Sequence, residues 1–419
     1  MNILWLCNMA TPDIAKKMGQ KASSLGGWLA GAASALAQIQ DIQLHICFPQ
    51  SFSSEIVEGE TGNVRFYGFP APQKPPHIYE PATEQWLAQV LQRAKPDVLH
   101  IWGTELPHTL AMTRAFHQPQ KTVISIQGLC DYIAQHYRAY LPERACTAWT
   151  IRDFLRHDRI ADQQKKFRQR GLLGAQALKN TGYIIGRTRW DRACTAQTAP
   201  GAAYRFCNET LRGAFYENAG AWSAESCEKH SIFVSQASYP LKGFHMVLAA
   251  MPEILRRYPD AKLYTTGGDP FAVPFYRING YQRWLKKQIT KLGLRQRVQF
   301  LGDLDERTMC ARYLKSHVFV SASSIENSPN SVGEAMLLGV PTVASYVGGT
   351  MDLLAEGKEG FLYQPDAPYM LADRVCAFFA DDALAAQMGA AASSHARLTH
   401  DPQKNLETLL HIYKEIFES

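Results

Sequence analysis

A glutamate, seven residues and a second glutamate stand in the stretch Ser324-Ile325-Glu326-Asn327-Ser328-Pro329-Asn330-Ser331-Val332-Gly333-Glu334-Ala335. A strand-like run ends near Ala322, and the turn formers Asn327, Ser328, Pro329 and Asn330 lead into a helical pattern from Val332 to Leu338. This order predicts Glu326 in a loop at a strand's carboxyl end and Glu334 in the first turn of the next helix. A helix start offers unpaired N–H donors and a partial positive charge, which suits a diphosphate; carboxylates beside it accept bonds from sugar and ribose hydroxyls. The same spacing carries a plainer meaning, because Ser331-x-x-Glu334 is also a capping box in which the glutamate serves only its own helix. Both readings of Glu334 stand at this level. Glu326 has no helix to stabilise, and as a loop acid it is either solvated or a ligand-binding group.

Other residues fall at the ends of strand-like runs. Lys242, in Leu241-Lys242-Gly243, is a point charge on a flexible stem, suited to a phosphate, although a lone loop lysine is commonly just solvated. Gly26 and Gly27 precede an apolar helical pattern, where the missing side chains would let a backbone approach a phosphate or merely form a turn. His100 and Glu105 lie at and just beyond the run Val98 to Trp102 and are candidates for the acceptor side. Arg187 ends the run Tyr183 to Arg187; it and Arg212 could add charge against a diphosphate or serve as ion-pair partners between lobes. Asp303-Leu304-Asp305 has the form of a metal-binding pair, but Asp305 stands where the helix at Arg307 needs an N-cap. The nine cysteines are scattered, with no CxxC pair and no Cys/His cluster at zinc spacing, so neither a metal site nor a disulfide framework is expected.

The elements that must position these residues form two series. Strand-like runs at Asn2 to Cys7, Leu44 to Phe48, Val64 to Phe69, Val98 to Trp102, Thr122 to Gln127 and Tyr183 to Arg187 alternate with helical patterns. A second series runs through Ile232 to Ser235, Lys262 to Thr266, Val298 to Leu301, His317 to Ala322 and Thr342 to Ser345. This rhythm predicts an α/β chain with two doubly wound parallel sheets, in which ligands bind beyond the strands' carboxyl ends. A chain of 419 residues suits two such domains. The polar stretch from Glu217 to Lys229 places the boundary, dividing the chain into lobes 1–220 and 221–400, with an amphipathic terminal helix at 401–419.

The composition, 46% hydrophobic and 20% charged, is that of a folded soluble protein. The start lacks a signal peptide's basic flank and cleavage site, and no apolar run approaches the roughly 18 residues of a membrane span. A cytoplasmic protein with reduced thiols is expected. The net charge of +6 is uneven: from Gln135 to Leu172 nine Lys/Arg face four carboxylates, interleaved with Tyr137, Tyr140, Trp149, Phe154 and Phe167. That segment, 135–172, is a candidate for peripheral contact with the inner face of a membrane, or else a solvated helical pair. No nucleic-acid module surrounds it, and nucleic-acid binding is set aside.

With Gly339-Val340-Pro341 after it, the spaced glutamate pair resembles the GT-B retaining glycosyltransferases of family 4. Leu241-Lys242-Gly243, Phe300-Leu301-Gly302, Gly348-Gly349 and Gly360-Phe361-Leu362 are similar to that family's landmarks in the same order. The Glu-Asn-Ser-Pro-Asn-Ser variant, with Gln127-Gly128-Leu129 and Tyr239-Pro240, resembles its bacterial surface and capsular polysaccharide members. The resemblance implies two Rossmann-like lobes about a cleft and a sugar moved, with retention, from a UDP- or GDP-linked donor to a glycan or lipid-linked acceptor, with no metal and no cofactor. It gives Glu326 the catalytic place beside the donor sugar. Gly26, Gly27, Lys242, Asn330, Ser331 and Glu334 are then donor-binding, with Glu334 on the ribose. His100, Gln127 and Arg187 fall on the acceptor or sugar side. The chain departs from the pattern at Ala237, where many members have arginine, at Pro329, where glycine is usual, and at Gln127, where many carry histidine. These departures keep a catalytically weak nucleotide-sugar-binding scaffold open as an alternative, beside an epimerase on the same fold.

Overall fold

Runs such as Ile3-Leu4-Trp5-Leu6 have no polar break, so they are stable only with both faces covered, as in a parallel sheet. The computed structural model, which describes residues 1–21 and 27–419, builds two sheets from such runs. The first contains β1 (Asn2–Leu6), β2 (Gln43–Gln50), β3 (Val57–Thr61), β4 (Val64–Pro70), β5 (Val98–Trp102), β6 (Thr122–Ser125), β7 (Tyr183–Gly186) and β8 (Ala203–Phe206). Their spatial order is β3-β4-β2-β1-β5-β6-β7-β8, parallel except for the antiparallel β3–β4 hairpin. The second contains β9 (Glu228–Val234), β10 (Lys262–Thr265), β11 (Val298–Phe300), β12 (Ser316–Ser321), β13 (Thr342–Ser345) and β14 (Phe361–Tyr363). Its order is β11-β10-β9-β12-β13-β14, parallel throughout. The chain reverses its direction of winding between β1 and β5 in one sheet and between β9 and β12 in the other. Such switch points are where loops at strand carboxyl ends diverge and leave room for a ligand.

The chain forms two compact units, Met1–Ala134 with Lys166–Arg212 and His400–Ser419, and Gln135–Lys165 with Gly213–Thr399. These differ from the boundaries read along the sequence, 1–220, 221–400 and 401–419, because packing partners lie far apart in the chain. The helix Pro402–Glu418 returns to the first unit, where Leu409, Ile412, Tyr413 and Ile416 share a core with Ile3 and Trp5. Trp5 Nε1 donates to Tyr413 Oη at 2.8 Å. The segment Gln135–Lys165 joins the second unit: His245 Nε2 meets Ala139 O at 2.7 Å, and the Asp153 carboxylate accepts the Gly280 N–H at 2.8 Å. Among the described residues no helix is long and apolar enough to cross a membrane.

His100 does not reach an acceptor. It lies inside β5 with no exposed surface, Nδ1 at 2.5 Å from Tyr413 Oη and Nε2 at 2.7 Å from Ser125 Oγ, stacked on Trp102. Burial lowers its pKa to about 3, and burial is also the first cause holding His45, His108, His245 and His317 at about 4. These rings fold neutral, whereas the unfolded chain takes up their protons near pH 6.5. Their contribution is complete above that pH and is lost as pH falls toward the folded values, by at most about 1.4 kcal/mol per unit and histidine. The urea midpoint is therefore expected to fall between pH 7 and pH 5, with a shallower slope in His100→Asn. A midpoint constant over that window would contradict neutral burial.

Candidate functional site

The loops after β9 and β12, on either side of the second switch point, carry the best-defined constellation. After β9 the chain makes the short turn Pro240–Lys242 and enters the helix Phe244–Arg257 through Gly243, at φ +64°. A Cβ there would lie 1.7 Å from the Ala322 carbonyl oxygen, so only glycine lets this turn press on the end of β12. The Ser324 N–H then donates to Leu241 O at 2.8 Å, tying the two loops together. The result is an ion pair at 2.5 Å between Lys242 Nζ and Glu326 Oε1, an oxygen that also accepts from Ser323 Oγ at 2.6 Å. Among the described residues Glu326 Oε2 makes no hydrogen bond. Burial opposes the charge on Lys242, yet the Glu326 carboxylate and Tyr239 together raise its pKa well above the ordinary lysine value.

A second glycine fixes the acid. Gly348 sits at φ +52° with its notional Cβ 1.9 Å from the Glu326 carbonyl oxygen, and the Gly349 N–H donates to that oxygen at 3.0 Å. Gly348→Ala is expected to cost at least about 1–2 kcal/mol through the left-handed backbone alone, and to shift Glu326. Urea unfolding and sugar-transfer rates should both record the change; a variant equal to wild type in both would show that Gly348 does not set this loop.

The helix after the motif begins at Asn330 and runs to Leu338, with Pro329 as its N-cap and no side-chain cap bond. The capping-box reading of Ser331-x-x-Glu334 is thus corrected. Ser331 is the second helical residue, and Glu334 is the fifth rather than a first-turn residue, 5% exposed. The cause is Pro329, whose ring presets a helix-entering backbone and whose carbonyl accepts from Val332 N and Gly333 N at 2.9 and 3.3 Å. Asn330 and Ser331 open the helix beside the Glu326 loop, where early N–H groups lack intrahelical partners. Gly26 lies outside the described residues, and Gly27 begins the helix Gly27–Leu36.

In the first unit Glu209 gathers two of the predicted residues. Gln127 Nε2 donates to one of its carboxylate oxygens, and Arg187 Nη1 pairs with the other at 2.6 Å; Arg187 Nη2 also donates to Ile126 O at 3.4 Å. Arg187 is therefore ion-paired with a carboxylate of its own unit. Nothing in the local sequence marks Glu209 as a hub, since it lies between strands and belongs to no motif. Glu105 follows β5 beside Gly103 and Gly128, with a buried Oε2 that has no hydrogen-bond partner among the described residues. Burial raises its pKa, against the pull of backbone hydrogen bonds and Arg170. Asp305 accepts the Thr308 N–H at 2.8 Å and caps the helix Glu306–Lys315. Among the described residues no three His, Cys, Asp or Glu gather as a metal site.

Two doubly wound parallel sheets, each with a switch point, make this a GT-B fold. Sucrose-phosphate synthase from Thermosynechococcus elongatus superposes with a TM-score of 0.69 at 15% identity, covering 99% of each chain. Anabaena HepE in complex with UDP and glucose gives 0.65 at 18% identity, covering 98% of this chain and 99% of that one. Residues 221–395, which include Lys242, Glu326 and Glu334, match the family model of glycosyl transferases group 1. D-inositol 3-phosphate glycosyltransferase from Streptomyces avermitilis is 32% identical over 161 residues, 38% of this chain and 34% of that protein. The chain spans less than half the length of the curated relatives it matches.

Proposed function

We propose that the chain is a retaining, metal-independent glycosyltransferase of family 4 that moves a sugar from a nucleoside diphosphate donor to a glycan or lipid-linked acceptor in polysaccharide biosynthesis. The observation that carries this reading is the Lys242–Glu326 pair at the second switch point, beside the start of the helix Asn330–Leu338. An ammonium has three N–H donors. Glu326 takes one and holds the stem in place, leaving the others for phosphate oxygens. The open Oε2 of Glu326 can accept from a donor-sugar hydroxyl, and the amides at the helix start, Asn330 and Ser331, are assigned to the diphosphate. Glu334 is assigned to the ribose and Gly27 to the phosphate. On the acceptor side Gln127, locked to Glu209, offers no base, so the acceptor's proton passes to the departing phosphate oxygen as the new glycosidic bond forms on the same face of the sugar.

Bond cleavage leaves a diphosphate and an oxocarbenium-like sugar, and fixed amides with one lysine stabilise that separation without reorganising during the step. That HepE was solved with UDP and glucose supports a uridine nucleotide as the first donor to test. Thermal shift with UDP, GDP and ADP is expected to raise the melting temperature with one of them, in the presence of EDTA. Failure of all three to bind would remove the donor reading; binding without turnover of any sugar derivative would replace the enzyme with a scaffold.

A further inference from the structure

The second unit carries an apolar groove of about 1040 Å³ that donor chemistry does not use. It is formed by the helix Ile151–Arg156 and its preceding turn, the loop before Asn279, and the helix Gly280–Lys291. Its walls are Trp149, Ile151, Phe154, Leu155 and Phe275, of which Phe154 is 64%, Leu155 72% and Phe275 76% exposed. Large apolar side chains this open to water, gathered on one face, mark an interaction surface.

The rim decides what kind. The helix Gly280–Lys291 buries Tyr281, Leu285 and Ile289, and presents Arg283, Lys287 and Lys291, with Lys286, to the groove. Arg283, Lys287 and Lys291 are spaced by four residues, a column of like charges that destabilises its own helix. Among the described residues no carboxylate forms an ion pair with any of these four cations. In the basic segment, by contrast, three of the nine cations are ion-paired: Arg138 with Glu143, Arg152 with Asp153 and Asp158, and Arg159 with Asp162. The same Arg283, Lys287 and Lys291 also line an adjoining cleft of about 510 Å³, together with Arg144. The apolar groove thus shares its cationic wall with a neighbouring cleft that adds Arg144. That combination suits a lipid surface, with acyl chains against the aromatics and phosphates against the cations. A second copy of the chain fits poorly, since a two-fold contact would set these cations against their own equivalents.

We propose that this face docks on an anionic phospholipid bilayer, through the groove between the helices Ile151–Arg156 and Gly280–Lys291 and its cationic wall. The proposal is independent of the donor reading, because vesicle binding is measured without nucleotide. The full chain is sedimented with vesicles of phosphatidylcholine alone and with vesicles containing about 30% phosphatidylglycerol, whose surface attracts Lys/Arg at about fivefold in affinity per charge. Binding is expected only to the anionic vesicles and should weaken with salt. Lys287→Gln with Lys291→Gln, both exposed, should lower affinity by roughly 25-fold on the same scale. Phe154→Ser with Leu155→Ser should weaken it while keeping its salt dependence. The urea midpoints of these variants should match wild type. Equal binding to both vesicle types, no binding, or lysine variants that bind like wild type would overturn the proposal. So would a concentration-dependent dimer, or single-stranded nucleic acid, that is lost with Phe154 and Leu155 while vesicles are ignored.

Discussion

Glu326→Ala should lower kcat/KM for sugar transfer by about 10²–10³-fold, the loss typical of removing one preorganised polar group that faces developing charge. The effect is expected in kcat, because the proposed function assigns Glu326 to the reacting sugar, where its open Oε2 gains most from a hydroxyl that acidifies as positive charge builds on the ring. Glu326→Gln separates charge from shape. Its amide oxygen can still accept from Ser323 Oγ and Lys242 Nζ, so the loop keeps its bonds while the anion is gone. The amide variant should fold like wild type and fall between wild type and alanine in rate. Glu326→Ala leaves a largely buried Lys242 without its carboxylate, so some loss of stability accompanies the loss of rate, and the amide variant is the cleaner test of the charge. Steady-state kinetics with circular dichroism on both variants checks this; full activity in Glu326→Ala would remove the assigned role.

Lys242→Ala should act on a different constant. Under the proposed function its ammonium is assigned to the donor diphosphate, and a charge pair at contact distance near a protein surface is worth a few kcal/mol before desolvation is subtracted. A rise of about 10²-fold in the Kd for the nucleoside diphosphate follows, with KM rising in step. The variant also removes Glu326's cation, so some loss in kcat accompanies it. Lys242→Arg keeps the charge but replaces a compact ammonium with a planar fork, and is expected to recover only part of the affinity. Because phosphate binding is electrostatic, the wild-type Kd should rise with ionic strength more steeply than that of Lys242→Ala. Titration calorimetry at two salt concentrations reads both effects; equal affinity in wild type and Lys242→Ala would place the diphosphate elsewhere.

Much of the fold was legible in the sequence because fully buried parallel strands are continuous apolar runs. Val98–Trp102 and Thr342–Ser345 have the bounds read from the chain, and most others differ by a few residues at their ends. The strands not foreseen are those that break that rule. Val57–Thr61 alternates acids with small residues because it is an antiparallel edge strand with one face in water. Ala203–Phe206 is an edge strand with an arginine in its middle, and Phe361–Tyr363 is only three residues long.

The site was legible in its residue types but not in its pairing. Lys242 and Glu326 are 84 positions apart, and only the placement of β9 next to β12 brings them together. Sheet order is a tertiary fact that periodicity does not encode. The Ser331-x-x-Glu334 pattern misled for a local reason, since Pro329 starts the helix earlier than the serine could cap it. His100 looked like a strand-end residue because its partner Tyr413 lies 313 residues away. Glu209 and the cationic column of Gly280–Lys291 have no motif at all. They become visible only once Gln127, Arg187 and Phe154 have been placed around them.

The central claim, that the pair at the second switch point serves turnover of a nucleotide sugar, is tested most directly by nucleotide release. The protein is incubated with UDP-, GDP- and ADP-sugars in EDTA, with and without glycan or lipid-linked acceptors, beside Glu326→Gln. Wild type should release nucleoside diphosphate from one donor class, faster with the right acceptor and at the same rate when metal replaces EDTA, while Glu326→Gln releases far less. No release from any donor, with or without metal, would contradict the account.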